Sequence, residues 1–358
     1  MLTPLAKHLL PWYQNNARAL PWRDDPAPYK VWISEIMLQQ TRVETVIPYF
    51  TRWISALPTI ADLAAANLQT VLSLWEGLGY YSRARNLHKA AQIIIQDHGG
   101  MLPETIQSLR GLPGIGRYTA AAIASIAFNQ DFAALDGNIR RVLTRVYNIR
   151  EPIGTTQTEK DLWRLAEENL PPGRASEYNQ GLMDLGAMIC SRRNPHCALC
   201  PLKTICKAFA LHTQDELPIR PIRMKTPHYT VTAGILQKDD HILIAQRPMK
   251  GLLGGLWEFP GGKIEPNEDL TACLRRELLE ELDVQVEVGD EYGKYKHAYT
   301  HFRITLYAYK CRLTRGEPIA KEHSQVRWVS IGELPDFPMG KIDRQIAKKL
   351  ISTTMRET

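Results

Sequence analysis

The sequence predicts two domains, an all-α domain followed by an α+β domain, and three observations carry that prediction. The chain has 358 residues, more than one hydrophobic core usually organises. Up to about residue 207, apolar residues recur at three- and four-residue spacing, as in Ile33, Ile36, Met37, Val43, Val46 and Ile47, which is the period of a helix face. Beyond Pro227 the texture changes to alternating β-branched and aromatic segments, the period of a half-buried strand.

The elements follow in order. Ser82 is placed to cap a helix that runs to the paired glycines Gly99 and Gly100, and no convincing strand precedes residue 207. Asp215–Pro227, with three prolines and scattered basic residues, reads as a linker. The domains are therefore drawn as 1–210 and 228–358, joined by 211–227. In the second, strands are expected over His228–Gln237, His241–Gln246, Val284–Val288 and Phe302–Leu313. Asp239 and Asp240 suit a tight turn between the first two, and a helix is expected over Leu270–Leu282.

Composition is that of a folded chain, 44% hydrophobic and 23% charged, which excludes disordered and fibrous classes. A formal charge of +6 is compatible with a polyanionic partner and does not demand one. No signal peptide and no membrane-spanning stretch are read, so the expectation is a cytoplasmic protein.

Cys190, Cys197, Cys200 and Cys206 lie within 17 positions. Four soft thiolates so close can surround one compact cofactor, either an iron-sulfur cluster or zinc. Leu112-Pro113-Gly114-Ile115-Gly116-Arg117-Tyr118-Thr119 suits a tight connection between helices, with Gly114 and Gly116 exposing backbone N–H groups that can hold a phosphate. Leu135-Asp136-Gly137-Asn138 follows downstream.

Together these segments resemble the endonuclease III superfamily of DNA glycosylases: its helix-hairpin-helix, its Gly/Pro-Asp signature and the loop 190–206 that binds a [4Fe-4S] cluster. Arg192 and Arg193 inside that loop would set cations near DNA phosphates. The version of the first active-site helix, Trp32-Ile33-Ser34-Glu35-Ile36-Met37-Leu38-Gln39-Gln40-Thr41, is similar to that of the adenine DNA glycosylase (MutY) family. That resemblance implies a monofunctional enzyme of base excision repair, acting as a monomer on double-stranded DNA that carries adenine opposite 8-oxoguanine or guanine. It implies Glu35 as the acid that protonates adenine at N7 and Asp136 as the carboxylate that stabilises an oxocarbenium-like sugar, with Tyr118 and Asn138 beside them. Lyase-type relatives carry a lysine where this chain has Tyr118, so strand cleavage through an imine is not expected. The resemblance further implies Trp22, Arg23, Leu38 and Gln180 as walls of the adenine pocket, and Gln40 and Tyr80 as residues that fill the gap left by the extruded base.

Gly262, Glu268, Arg276, Glu277, Glu280 and Glu281 are similar to a Nudix box, departing at Asp283, where the pattern has glycine. Glu277, Glu280 and Glu281 fall at i, i+3 and i+4, one helix face, and form a candidate Mg²⁺ site for hydrolysis of oxidised dGTP. In relatives such a domain recognises the lesion, and the matching loop here holds Tyr299, Thr300 and His301. Three rival readings stand beside this one: a nucleotide pyrophosphohydrolase tethered to DNA, a catalytically idle damage-binding protein, and a bifunctional glycosylase/lyase.

Overall fold

The computed structural model describes residues 2–221 and 226–357. Helices run in the order α1 (Pro4–Asn16), α2 (Pro28–Leu38), α3 (Val43–Ala56), α4 (Ile60–Ala65), α5 (Leu68–Trp75), α6 (Ser82–Asp97), α7 (Ile106–Gly111), α8 (Arg117–Ala127), α9 (Gly137–Tyr147), α10 (Thr156–Glu168), α11 (Ala175–Met188) and α12 (Lys207–Ala210). The later residues form β1 (His228–Lys238), β2 (His241–Gln246), β3 (Trp257–Glu258), α13 (Leu270–Leu282), β4 (Gln285–Ala298), β5 (Arg303–Arg315), β6 (Gln325–Ser330) and α14 (Lys341–Glu357). Among the described residues no helix is long and apolar enough to cross a membrane.

The chain divides into two compact units, Met1–Ala65 with Asn86–Arg223, and Ala66–Arg85 with Met224–Thr358. In the first, local chemistry starts and stops the helices. Thr3 caps α1 by accepting from the Ala6 N–H, and Pro4 at the first helical position arrives with its φ already helical. Asp136 caps α9, which ends at Asn148 in the left-handed conformation, φ 53°, a position asparagine tolerates. The apolar faces of α1, α9 and α11 meet in a core of Leu5, Leu9, Leu135, Leu143, Leu182 and Leu185. Gly186 lets α11 approach α9 closely, because a Cβ there would stand 2.6 Å from the Cβ of Asn138.

The expected linker begins as part of this unit. Leu217 is buried and its carbonyl accepts from Arg145 Nε at 3.0 Å. The Ile153 N–H donates to the Ile219 carbonyl at 2.9 Å, and residues 222–225 lie outside the described residues. A proline-rich stretch need not be free when its carbonyls meet buried donors.

In the second unit the sheet order is β3-β2-β1-β5-β4, with β6 pairing β2. β1 and β5 are parallel, and the other pairings are antiparallel. One face packs Ile235, Ile244 and Leu306 against Ile342, Ile346 and Leu350 of α14. The opposite face packs Leu236, Leu243 and Tyr309 against Leu274, Leu278 and Leu282 of α13. α13 has the bounds expected from sequence, with Asp269 accepting from Thr271 and Ala272 N–H groups. Asp283, the departure from the box, sits just past the helix at φ 60°. Glycine suits that left-handed position best, and aspartate is among the few side chains that adopt it.

In the second unit β3, β6 and α14 were not read from sequence. The segment Ala66–Arg85 also belongs with residues far along the chain. Glu76 accepts from Arg344 at 2.6 Å, Gln69 from the Trp257 indole at 3.1 Å, and the Gly254 carbonyl from Arg85 at 2.7 Å.

Candidate active site

Three elements of the first unit converge on two carboxyl groups. α2 carries Glu35, which is 4% exposed among apolar neighbours. Burial pushes its carboxyl up to about 7, and the nearby Asp136 pushes the same way, while a hydrogen bond from Tyr118 and the charge of Arg23 pull against them. The Tyr118 hydroxyl, at the second position of α8, donates to Glu35 Oε2 at 2.6 Å.

Asp136 differs in its donors. Its carboxylate accepts from the Ile139 N–H at 2.7 Å and from Asn138 Nδ2 at 2.9 Å, at the positive end of α9. Burial raises its carboxyl too, against the pull of Ile139, Asn138 and Arg141. One carboxyl thus sits in a site that favours the neutral form, and the other in a site wired with N–H donors, the division of labour that acid and carboxylate need.

Glu35 opens into a cavity of about 170 Å³ also lined by Trp22, Arg23, Leu38, Ser176 and Gln180. A single water requires only about 15 Å³, so the space suits a planar ring system. The four wall residues expected from sequence all line it, and the Gln180 amide donates to Ser176 at 3.1 Å. Trp22 is braced edge-on by Phe50, ring centroids 5.3 Å apart. Sequence reasoning missed Asp184, whose carboxylate accepts from both Arg18 and Arg23. Its only sequence signal is an acid one helical turn beyond Gln180.

Behind Asp136 a polar chain runs to the cysteines. Arg141 donates to Asn138 Oδ1 at 2.9 Å, to the Gly186 carbonyl at 2.6 Å and to the Cys190 carbonyl at 2.7 Å. Arg145 donates to Cys190 Sγ at 3.2 Å and to the Ser191 carbonyl at 2.7 Å. Cys190, Cys197, Cys200 and Cys206 line one shared cavity. Burial, then the neighbouring thiols, pushes Cys197 up, and burial pushes Cys200 up to about 12. Arg192 and Arg193 are exposed beside them. Among the described residues no three His, Cys, Asp or Glu side chains close on a single metal ion.

The glycine turn joins α7 to α8. Gly114 has φ 82°, with Asn86 3.0 Å from where its Cβ would lie. Gly116 is not left-handed; it caps α8 in an extended conformation with open space around it, leaving the first N–H groups of that helix approachable. Gln40 is exposed at φ 59°, just past α2.

Within the second unit, Tyr80 and Thr300 are brought together. Tyr80 lies at φ 48° just after Gly77 and Gly79, at φ 101° and 73°, and it is 42% exposed. Its loop is held from beneath by Arg83, which donates to the carbonyls of Leu78 and Gly79, each at 3.1 Å. The Tyr80 and Thr300 hydroxyls are hydrogen bonded. Tyr299 packs against Phe302 and His297, ring centroids 4.7 Å from each, leaving Thr300 and His301 exposed at the tip of the β4–β5 turn.

The three acids of α13 are divided in use. Arg276 binds Glu277 and Glu280, each at 3.0 Å, along with Glu268 at 2.9 Å. Glu281 instead accepts from the Gly261 N–H at 3.2 Å, and burial pushes its carboxyl up to about 7. A neighbouring guanidinium thus satisfies two of the three acids that the spacing puts on one helix face.

Comparisons with known proteins bear on both units. Residues 33–168 match the HhH-GPD superfamily of base excision DNA repair proteins, and residues 231–349 match the NUDIX domain. The chain is 35% identical to the adenine DNA glycosylase of Homo sapiens over 388 residues, covering 92% of this chain and 70% of that one. It is 35% identical to the adenine DNA glycosylase of Buchnera aphidicola subsp. Acyrthosiphon pisum over 324 residues, covering 90% and 91%. Among solved structures it is similar to a thermostable thymine-DNA glycosylase, with a TM-score of 0.52 and 30% identity over 57% of this chain and 95% of that one.

Proposed function

From the premise that the chain belongs to the adenine DNA glycosylase family, we propose that it excises adenine paired with 8-oxoguanine, and with guanine as a second substrate. It is an adenine-specific DNA N-glycosylase of base excision repair. The observation that carries the mechanism is the pair Glu35 and Asp136, two buried carboxyls with opposite donor environments, Glu35 lining a ring-sized cavity.

In the reaction the glycosidic bond breaks as its electrons move to the base. Glu35, holding a proton near neutral pH, donates it to adenine N7 and relieves that charge. Asp136 faces the electron-deficient sugar as a carboxylate, oriented by Asn138 and the first turn of α9. Tyr118 offers a hydroxyl and no amine, so water adds to the sugar C1′ and releases a proton to solvent, and the products are free adenine and an intact strand with an abasic site. Trp22, Leu38 and Gln180 hold the extruded base, and the first N–H groups of α8 hold a phosphate of the same strand.

Thr300, with Tyr299 and His301, reads the lesion, and Tyr80 and Gln40 occupy the gap left by the extruded adenine. The exposed hydroxyl at 300 beside the exposed aromatic at 80 supports this. The four cysteines fit a [4Fe-4S] cluster: one donor type, one cavity and an arginine N–H on Cys190 Sγ. Bound there, the cluster would supply a rigid cross-link within the loop 190–206, just beyond α11. A cytoplasmic monomer is the state we propose, since both catalytic carboxyls come from one chain and chromosomal DNA is the substrate.

The test is a duplex carrying adenine opposite 8-oxoguanine. Release of free adenine, with strand scission only after alkali, supports the reading; scission without alkali, or no release, overturns it.

A further inference from the structure

Behind the wall of the base cavity lies a charged group that the mechanism above does not use. Asp184, on α11, has no exposed surface. Its carboxylate accepts from the Arg18 backbone N–H at 3.1 Å, from Arg18 Nε at 2.7 Å, and from Arg23 Nη1 and Nη2 at 2.7 and 3.1 Å. Arg23 is tied further to the Arg18 carbonyl at 3.2 Å. Burial alone would push the Asp184 carboxyl up; the bonds and charges of the two arginines reverse that and hold it below its ordinary value.

Two guanidiniums against one carboxylate leave a fixed positive charge on the wall, and both arginines line the cavity that holds Glu35. A guanidinium is a strong, bidentate partner for a carboxylate, and pairing typically lowers a carboxyl pKa by about one to three units. Arg23 already acts on Glu35 across the cavity. Were its fork free, it would be open to Glu35, which lines the same cavity and already feels its charge, and Glu35 would then ionise and cease to be an acid.

We propose that Asp184 is a positioning residue for base excision: by occupying the forks of Arg18 and Arg23 it keeps Arg23 on the cavity wall, as a cation facing the departing base, and off Glu35. The groups that face Glu35 are then Tyr118 from α8, Asp136 from the start of α9 and Arg23 at a distance. The inference rests on Glu35 being the acid.

The experiment is single-turnover excision by the full chain from about pH 5 to about pH 9. Asp184→Asn keeps the shape and removes the charge. It is expected to move the alkaline fall-off in rate toward lower pH by about one to three units, with at least a tenfold loss at the alkaline end, while affinity for the duplex changes little. Arg23→Gln placed on Asp184→Asn should restore part of that loss, because the competing guanidinium is gone; Asp184→Glu should stay near the wild type. Arg23→Gln alone, which leaves Asp184 paired with Arg18, should move the fall-off to higher pH and covers the case in which Asp184→Asn does not fold. An unmoved profile in Asp184→Asn, a double variant no faster than the single one, or an unmoved profile in Arg23→Gln overturns the proposal. A wild type with no alkaline fall-off, or an active Glu35→Gln, instead removes the acid on which it depends.

Discussion

Glu35→Gln separates the catalytic value of the acid from its cost to the fold. The wild-type carboxyl is raised from 4.5 in an unfolded chain to about 7 in the folded protein, chiefly by burial. The folded state therefore binds a proton more tightly than the unfolded chain. Its contribution to stability is fully present below 4.5 and is lost as pH rises through about 7. The difference corresponds to something on the order of 3 kcal/mol. Glutamine keeps the shape, can accept from Tyr118, and does not titrate. Relative to the wild type, the variant should gain stability between those two pH values, by an amount of that order. Its excision rate should fall by about 10²- to 10⁴-fold, the usual contribution of a positioned acid. The wild-type rate should itself fall as pH rises through about 7. Urea unfolding at acidic and alkaline pH, beside single-turnover release of adenine, measures both. A variant with near-normal excision, or one whose stability follows pH as the wild type's does, would refute the reasoning.

Asp136→Asn should lower excision by about 10²-fold or more and leave folding intact, because asparagine caps a helix as well as aspartate does; loss of the folded state would make Asp136 a structural residue first. Purified protein should be brown, with iron and acid-labile sulfide, and Cys200→Ser should lower the iron bound per chain; a colourless, active protein containing stoichiometric zinc would contradict the cluster. Thr300→Val should reduce the preference for adenine opposite 8-oxoguanine over adenine opposite guanine by about threefold to tenfold, the worth of one hydrogen bond, and an unchanged ratio would remove Thr300 from lesion reading. Point substitution is the cleaner test there, because truncation after residue 225 would strip Glu76, Gln69 and Arg85 of Arg344, Trp257 and Gly254.

What the sequence determined by itself is what local chemistry writes along the chain. The cysteine spacing, the glycine turn after α7, the bounds of α13 and the acid-bearing segment around Glu35 are legible because a helix period, a turn and a ligand loop each need only neighbouring residues. Even α14 was within reach, since Ile342, Ile346, Ala347 and Leu350 repeat at helical spacing. Tertiary structure decided the rest. The base cavity gathers Trp22, Glu35 and Gln180 from far apart, and the Asp184 clamp joins residues separated by more than 160 positions. Ala66–Arg85 belongs with residues beyond 224, and Arg276 divides the acids that spacing alone put on one face. Charges and cavities act through space, where separation along the chain carries no weight. A buried carboxyl therefore shows whether it is acid, carboxylate or clamp only when its partners are in place.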